Sequence, residues 1–334
     1  MMTLHPELAE IIRLAAFLVG IIIFVALNAA YLVWVERKVA GHIQRRIGPK
    51  EVGPWGLLQP IADGLKLMTK QLIIPQGVDA TLFMTAPIIV MVPAVMCFVT
   101  IPFSETLVAR NLDVGLLAVF AFSSVNILGL LFGAWGSRNK FAIISAARVV
   151  SQNVAYEIPM LVVVVTIVMI SGSMDLHEIV TRQMGGFWHW NIFKFTASPL
   201  MPVAFVIFFV CMLAETNRAP FDMAESESEL VAGAFTEYPG MGFGVFFMAE
   251  YANIVVGSSI ATIIFLGGWD SPVGFLPGVF WFLLKMYALV FTVVWIRWTF
   301  PRTTFYSLLN LSWKILIPLS FANLILTSAM LKVF

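Results

Sequence analysis

Redox and metal ligands are scarce in this sequence of 334 residues. Its only cysteines, Cys97 and Cys211, each lie inside a long apolar run, and no CxxC pair occurs. A cluster held by cysteine thiolates needs several of them, so this chain alone cannot build one. The histidines lie outside the apolar runs, which excludes a haem held between two membrane helices. We therefore expect no metal site in this chain.

Charge is also scarce, since 12% of the residues are charged and 60% are hydrophobic. A soluble domain has about 25% charged and roughly 45–50% apolar residues. The net charge of +1 argues against a nucleic-acid partner. Neither a GxGxxG motif nor a P-loop occurs, so nothing predicts nucleotide binding by this chain itself. The composition instead indicates a protein whose solvent is mostly lipid.

The apolar runs predict an all-α polytopic membrane protein with about eight transmembrane helices and additional interfacial amphipathic helices. A span needs about 20 predominantly apolar residues. No internal repeat or low-complexity linker divides the chain, so residues 1–334 form a single membrane domain in this interpretation. The predicted spans are 11–35, 82–101, 115–135, 154–171, 200–214, 241–266, 275–296 and 311–331.

The basic residues predict the orientation of these spans. If the N-terminus lies outside, fourteen of the twenty lysines and arginines fall on the inner side and five fall outside. Loops on the cytoplasmic side carry the excess of positive charge, so we expect the N-terminus to be outside. Lys285 remains, within the seventh span. The predicted inner loops are 36–81, 136–153, 215–240 and 297–310.

The first inner loop contains an amphipathic pattern that is too polar to cross the membrane. Apolar residues recur at helical spacing from Leu57 to Leu72, while Asp63, Lys66 and Lys70 lie on another face. Such a helix lies at the membrane interface. Two interpretations remain open: a surface anchor with an Asp63–Lys66 pair, or one wall of a cavity that opens towards the lipid.

Acidic residues are concentrated in one stretch, AETNRAPFDMAESESELVAGAFTEY, at residues 214–238. Asp222 with Glu225 three positions later is the pattern of a helix N-cap with an acidic third residue. The stretch contains six of the chain's nineteen acids, and only one cation, Arg218. If the stretch folds among the helices, burial and mutual repulsion raise carboxylate pKa values, so the group titrates as a coupled set. A proton relay requires such behaviour.

Further ionisable residues lie within the spans. Glu157 begins the fourth span and Glu250 lies inside the sixth. Ionisable residues at membrane depth are candidates for function by default, and we interpret both acids as parts of the same relay. For Lys285 the sequence leaves two roles open: a relay member, or the buried partner of an acid.

Four stretches resemble one family. The run GPKEVGPWGLLQPIADGLKL is similar to the first inner loop of the H-subunit family of NADH:quinone oxidoreductase, the quinone-site membrane subunit of respiratory complex I. The stretches GSRNKFAIISAARVVSQNVAYEIP, AETNRAPFDMAESESELVAGAFTEY with MAEY, and RWTFPR follow in the family's order. The resemblance covers nearly the whole chain. It implies a subunit of a proton-translocating enzyme of the bacterial inner membrane.

The resemblance implies roles for two sets of residues. Charged residues near the quinone cavity are matched by Arg37, Arg46, Asp63, Arg218, Arg297 and Arg302. The acidic path to the proton channels is matched by Glu157, Glu215, Glu225, Glu227, Glu229, Glu237 and Glu250. The resemblance also implies quinone (ubiquinone or menaquinone) as substrate, and flavin and iron–sulfur clusters in partner subunits. Those partners are membrane-arm and quinone-proximal peripheral-arm subunits of an obligate hetero-oligomer.

The sequence departs from the family at several positions. Lys50-Glu51 replaces an Asn-Arg or similar pair, Gln71 a glutamate, and Ala234-Phe235 a Tyr-His pair. Thr304 and Tyr306 stand where the family commonly has an arginine and an aspartate, so those two roles are not transferred.

Three other functions are considered. The first is the equivalent subunit of a related complex with another electron donor, which only partner genes distinguish. The second is a stand-alone ion transporter, disfavoured because transporters often show inverted repeats or paired broken helices. The third is a structural anchor whose acids dock a soluble arm.

Overall fold

The computed structural model describes residues 6–195, 197–224 and 227–333. Within these residues the chain is helical, without β-strands. Seven of the described helices are long and apolar enough to cross a membrane, and an eighth apolar helix is shorter. The prediction of an all-α polytopic membrane protein is therefore confirmed. The outside position of the N-terminus stays a prediction.

Twelve α-helices are named here in chain order. They are α1 (Pro6–Ile43), α2 (Gln59–Thr69), α3 (Ala80–Thr100), α4 (Gly115–Gly136), α5 (Lys140–Ser171), α6 (Leu176–Thr181), α7 (Met201–Glu215), α8 (Glu227–Leu230), α9 (Gly240–Phe265), α10 (Gly278–Thr299), α11 (Phe305–Leu311) and α12 (Ile317–Val333). A single π-helical turn, Ser312–Leu316, joins α11 to α12. These last elements form one continuous apolar segment of 29 residues.

Two of the long helices extend well into predicted inner loops. Helix α1 continues through the expected loop region as far as Ile43. Helix α5 begins at Lys140, with Asn139 as its N-cap, rather than at residue 154. The apolar pattern marks the part of a helix that suits lipid, whereas backbone hydrogen bonding continues past it wherever side chains pack against other elements.

Helix α7 has 15 residues and falls short of the length of a full span. The helix begins at Met201, after Pro199, and has Pro202 in its first turn. Proline suits this position, since the missing N–H has no intrahelical partner there. The prediction of about eight transmembrane helices thus corresponds to seven long helices and one short helix.

Helices α3 and α4 pack closely because glycine faces the neighbouring backbone. A Cβ atom at Gly129 would lie 2.9 Å from the Val90 amide nitrogen, and one at Gly136 would lie 2.9 Å from that of Phe83. Small residues allow such close approach between membrane helices, where packing rather than the hydrophobic effect drives association. The pair forms one side of the core that contains the acidic residues.

The segment 216–224 after α7 is held by side chains from two sides. Gln152 of α5 donates to the carbonyls of Ala214 and Phe221 at 2.7 and 2.8 Å. Thr303, which precedes α11, donates its hydroxyl to the Pro220 carbonyl at 2.9 Å. Buried carbonyls in irregular backbone need such donors. The segment that carries Arg218 is therefore packed between α5 and the start of the last helix.

Candidate functional site

Arg218 lies at the centre of a buried group of charges. Its guanidinium is 3.6 Å from the Glu36 carboxylate and 3.5 Å from the Glu250 carboxylate. Arg297 reaches the other oxygen of Glu36 at 2.5 Å. Only 2% of Arg218 and 7% of Glu36 are exposed. These four residues and Tyr251 are called the Arg218 cluster.

The cluster is built from four parts of the fold. Glu36 comes from α1, Glu250 and Tyr251 from α9, and Arg297 from the last turn of α10. The Tyr251 hydroxyl donates to Glu36 at 2.6 Å, and the Tyr251 ring centroid lies 4.3 Å from the Arg218 guanidinium carbon. Charges can remain buried when they are paired and hydrogen-bonded, and here two cations face two carboxylates.

Glu36 is the functional candidate that sequence reasoning missed. Arg218, Glu250 and Arg297 were all assigned to the site, and the structure brings these three together around Glu36. The sequence does contain a pattern that points to Glu36. Glu36 directly follows the apolar run 11–35, and an ionisable residue at such a depth is a candidate for function. Its place in the inner loop made it resemble an ordinary surface charge.

Glu215, the last residue of α7, lines two neighbouring internal cavities. The first cavity, of about 40 Å³, is also lined by Ser123, and the second, of about 20 Å³, by Glu250. Four residues line both cavities: Asn126, Glu215, Thr216 and Asn253. A cavity needs roughly 10–15 Å³ and several polar partners to hold a water molecule. Both meet these conditions, so Glu215 and Glu250 border adjoining hydratable spaces.

Glu157 lies beside residues that line the first cavity, but it does not line the cavity itself. Its carboxylate accepts a hydrogen bond of 2.8 Å from the hydroxyl of Ser124, the neighbour of Ser123 on α4. Met160, one turn further along α5, lines the first cavity itself. Glu215 and Glu250 therefore border adjoining spaces, and Glu157 is held next to the first of them by Ser124, although the three acids are far apart in sequence.

The remaining predicted acids have different surroundings. Glu229 is 59% exposed and pairs with Arg148, and Glu237 accepts a hydrogen bond of 2.7 Å from Asn139. Glu225 lies outside the described residues, and only the backbone of Glu227 is described, at the start of α8. The structure thus places Glu229 away from the two cavities.

Asp222 precedes residues 225 and 226, which lie outside the described part of the chain, so its capping pattern with Glu225 stays a prediction. Asp222 is 7% exposed, and its carboxylate is 3.1 Å from Arg302. The described part of α8 starts later, at Glu227. The carboxylate forms an ion pair with Arg302, 80 residues away along the chain.

Arg37 and Arg46 line an open cavity of about 670 Å³ beside the end of α1. Asp63 of α2 accepts hydrogen bonds from Arg37 at 2.7 Å and from Lys66 at 3.4 Å, which confirms the predicted Asp63–Lys66 pair. Partial burial opposes ionisation of Asp63, but the hydrogen bonds from Arg37, Gln59 and Lys66 outweigh it and lower the pKa of Asp63 below its usual range. Asp63 is therefore a fixed anion at neutral pH.

The amphipathic character of α2 is confirmed. Ile61, Leu65 and Met68 are each more than half exposed, whereas the charged face turns towards Arg37. An exposed apolar stripe on a helix too short to span fits a position in the membrane interface. The open cavity therefore lies beside an interfacial helix.

The ammonium of Lys285 is held by backbone carbonyls and not by one of the predicted acids. It donates to the carbonyls of Leu266, Gly268 and Asp270, at 2.7, 3.1 and 2.7 Å. It also lies 4.0 Å from the ring centroid of Trp190. A cation at a helix C-terminus satisfies backbone carbonyls that lack helical donors. Lys285 thus caps the end of α9 and holds the adjoining loop.

Thr304 and Tyr306, which depart from the family pattern near Arg302, lie outside the buried charges. Tyr306 is 78% exposed, and Thr304 precedes α11 and donates its hydroxyl to Ser307 at 2.8 Å. Neither side chain reaches the Arg218 cluster within the described contacts. The buried charges are therefore built without these two positions.

Comparisons with known proteins identify the family of this chain. The model of the NADH dehydrogenase family matches residues 16–328. The chain is 62% identical to the H subunit of NADH-quinone oxidoreductase from Desulfotalea psychrophila, over 96% of this chain and 97% of the relative. It is 41% identical to the second such H subunit of Koribacter versatilis, over 96% and 98% of the two chains. It is 40% identical to the H subunit from Carboxydothermus hydrogenoformans, over 96% of this chain and 90% of the relative. The chain therefore belongs to the H-subunit family of NADH-quinone oxidoreductase and is a multi-pass membrane subunit of that enzyme complex.

Proposed function

We propose that this chain forms the membrane part of the quinone site and that its buried acids transfer protons when quinone is reduced. The proposal rests on an unbroken series of contacts that links the open cavity to the buried acids. Arg37 lines the open cavity and follows Glu36 in the chain, and Glu36 begins a series of charged contacts that reaches Glu250 and the cavities at Glu215. A substrate cavity and a hydratable acidic path thus meet at one turn of α1.

The open cavity suits the headgroup of a quinone. Ligand cavities have volumes of about 300–1,000 Å³, with a few polar groups that orient the ligand. Arg37 and Arg46 are placed to attract electron-rich carbonyl oxygens, and Asp63 holds Arg37 in position. The exposed apolar face of α2 offers a route from the bilayer for an apolar tail. Ubiquinone and menaquinone both have these features.

The acids supply the proton-transfer part of the proposal. A proton can move between carboxyl groups through hydrogen-bonded water, and both cavities beside Glu215 have the volume and the polar lining for it. Reduction of quinone changes the charge beside Arg37. Glu36 and Arg218 then transmit this change electrostatically to Glu250, because buried charges interact strongly at short distance.

The chemistry of electron delivery belongs to other subunits in this proposal. Flavin and iron–sulfur clusters lie in peripheral-arm partners, which complete the open cavity beside α1. Other membrane-arm subunits receive the proton-transfer signal. The complex is then an obligate hetero-oligomer in the bacterial inner membrane, with apolar surfaces such as Ile11, Ile22 and Ile325 against lipid or membrane partners.

Glu215→Gln tests the proposal in the assembled complex. We expect proton translocation into vesicles to fall about tenfold or more, because an amide keeps the volume but cannot bind and release a proton. NADH oxidation by an acceptor that takes electrons at the flavin should not change. Glu105→Gln, at an exposed position, is the matched control. Full proton translocation coupled to quinone reduction in Glu215→Gln would remove Glu215 from the path.

A further inference from the structure

In the interior of helix α5, a proline leaves a carbonyl without its helical donor. The carbonyl of Ala155 would accept from the amide of residue 159, but that residue is Pro159, which has no N–H. A buried carbonyl without a donor destabilises the fold. Glu157 lies between these two residues, so the interrupted hydrogen bond spans the turn that carries the acid.

Ser312 supplies the missing donor from another helix. Its hydroxyl donates to the Ala155 carbonyl at 2.5 Å, and the residue is fully buried. A second bond lies beside it, in which the Tyr156 hydroxyl donates to the Leu308 carbonyl at 3.0 Å. The last helix and α5 are thus joined by two hydrogen bonds within one turn on each side.

The backbone around Ser312 is specialised for this contact. Ser312 begins the π-helical turn, in which the Ile317 amide donates to the Ser312 carbonyl five residues earlier. Turns of this kind are uncommon and are found mostly as single insertions at functional positions. Ser320, three residues after Ile317, is equally buried but donates only to the Ile317 carbonyl of its own helix.

We infer that Ser312 is a positioning residue for Glu157. By satisfying the Ala155 carbonyl that Pro159 leaves without a donor, its hydroxyl fixes the turn of α5 that carries Glu157, and so aligns the carboxylate with Ser124 and the first cavity. This inference rests on the proposed function for its consequence in proton transfer. The structural part, that Ser312 replaces the missing amide, stands independently of it.

The test uses a cycle of variants in the whole complex: Ser312→Ala, Pro159→Ala and both together, with Ser320→Ala as control. We expect Ser312→Ala to lower the rate at saturating quinone on the order of fivefold, because a buried acceptor loses its donor. The KM for quinone should stay constant, the pH profile of quinone reduction should shift, and the flavin-level reaction should not change. In the Pro159→Ala background an amide becomes available to Ala155, so Ser312→Ala should alter the rate less than about twofold.

Hydrogen exchange of the α5 amides around residue 157 separates the two parts of the inference. Exchange should increase in Ser312→Ala and return towards the native level in the double variant. Equal effects of Ser312→Ala in both backgrounds, on rate and on exchange, would overturn the inference. If Ser312→Ala alone does not assemble, the double variant must restore assembly, and its failure to do so would also contradict it. Exchange could instead respond as expected while the pH profile stays unchanged and Glu157→Gln keeps full coupled activity. That result would support the structural part of the inference and reject the proton-transfer role of Glu157.

Discussion

Replacing Arg218 with methionine is expected to abolish most NADH:quinone activity, with a loss of at least about a hundredfold. Methionine retains a long unbranched side chain for packing but lacks the positive charge that lies between Glu36 and Glu250. Removal of one member of a buried ion pair leaves uncompensated buried charge, and a hundredfold loss of rate corresponds to about 2.7 kcal/mol of activation free energy. NADH oxidation by an acceptor at the flavin, measured in the same assembled complex, should remain.

Two variants control for the loss of packing at Arg218. Arg218→Lys keeps the charge but replaces the guanidinium fork with a single ammonium, so it should retain part of the quinone activity. Arg218→Gln combined with Glu250→Gln removes one charge of each sign and should assemble better than Arg218→Gln alone. If Arg218→Met assembles and reduces quinone at the native rate, the cluster has no part in the reaction.

Glu36→Gln is expected to give the next largest effect, a loss of quinone reduction of about tenfold to a hundredfold. Gln keeps the shape of Glu36 but leaves Arg218 and Arg297 without the anion that both contact. Glu36 forms ion pairs with both arginines and accepts a hydrogen bond from Tyr251, and a hydrogen bond to a charged group contributes about 1.5–3 kcal/mol. The initial rate of quinone reduction, normalised to assembled complex, measures the loss.

The double variant Glu36→Gln with Arg297→Gln tests whether the loss comes from charge imbalance. Since both partners of the 2.5 Å pair are then neutral, the loss should be smaller than the sum of the two single effects. Glu10→Gln, an exposed position on the same helix, is the matched control and should not change the rate. Strictly additive losses would indicate that Glu36 and Arg297 act separately.

Much of the fold could be predicted from the sequence because lipid imposes a simple rule. A segment that crosses the bilayer must be apolar over about 20 residues, which is readable in one sequence. The start of α5 could not be read in this way, because Ser145 and Gln152 are polar residues that satisfy carbonyls of the segment 216–224. Such bonds join residues about 60 to 80 positions apart.

The candidate site was predicted by residue type and resemblance more than by geometry. Arg218, Glu250 and Glu215 were identified, since a charge within an apolar chain is conspicuous. Glu36 was not identified, because it meets Arg218 and Tyr251 across about 200 positions and only the tertiary fold sets such distances. Glu229 belongs to the same acidic stretch in the sequence, but its side chain is exposed and pairs with Arg148, so its place in the path stays a prediction.

The central claim is that the buried carboxyl groups change protonation when quinone is reduced. The most direct measurement is the infrared difference spectrum of the assembled complex before and after reduction of bound quinone by NADH. A proton relay predicts changes in the carboxyl bands that decrease in Glu215→Gln and in Glu250→Gln and persist in Glu105→Gln. Carboxyl bands that do not respond to quinone reduction, or that respond equally in all of these variants, would contradict the relay.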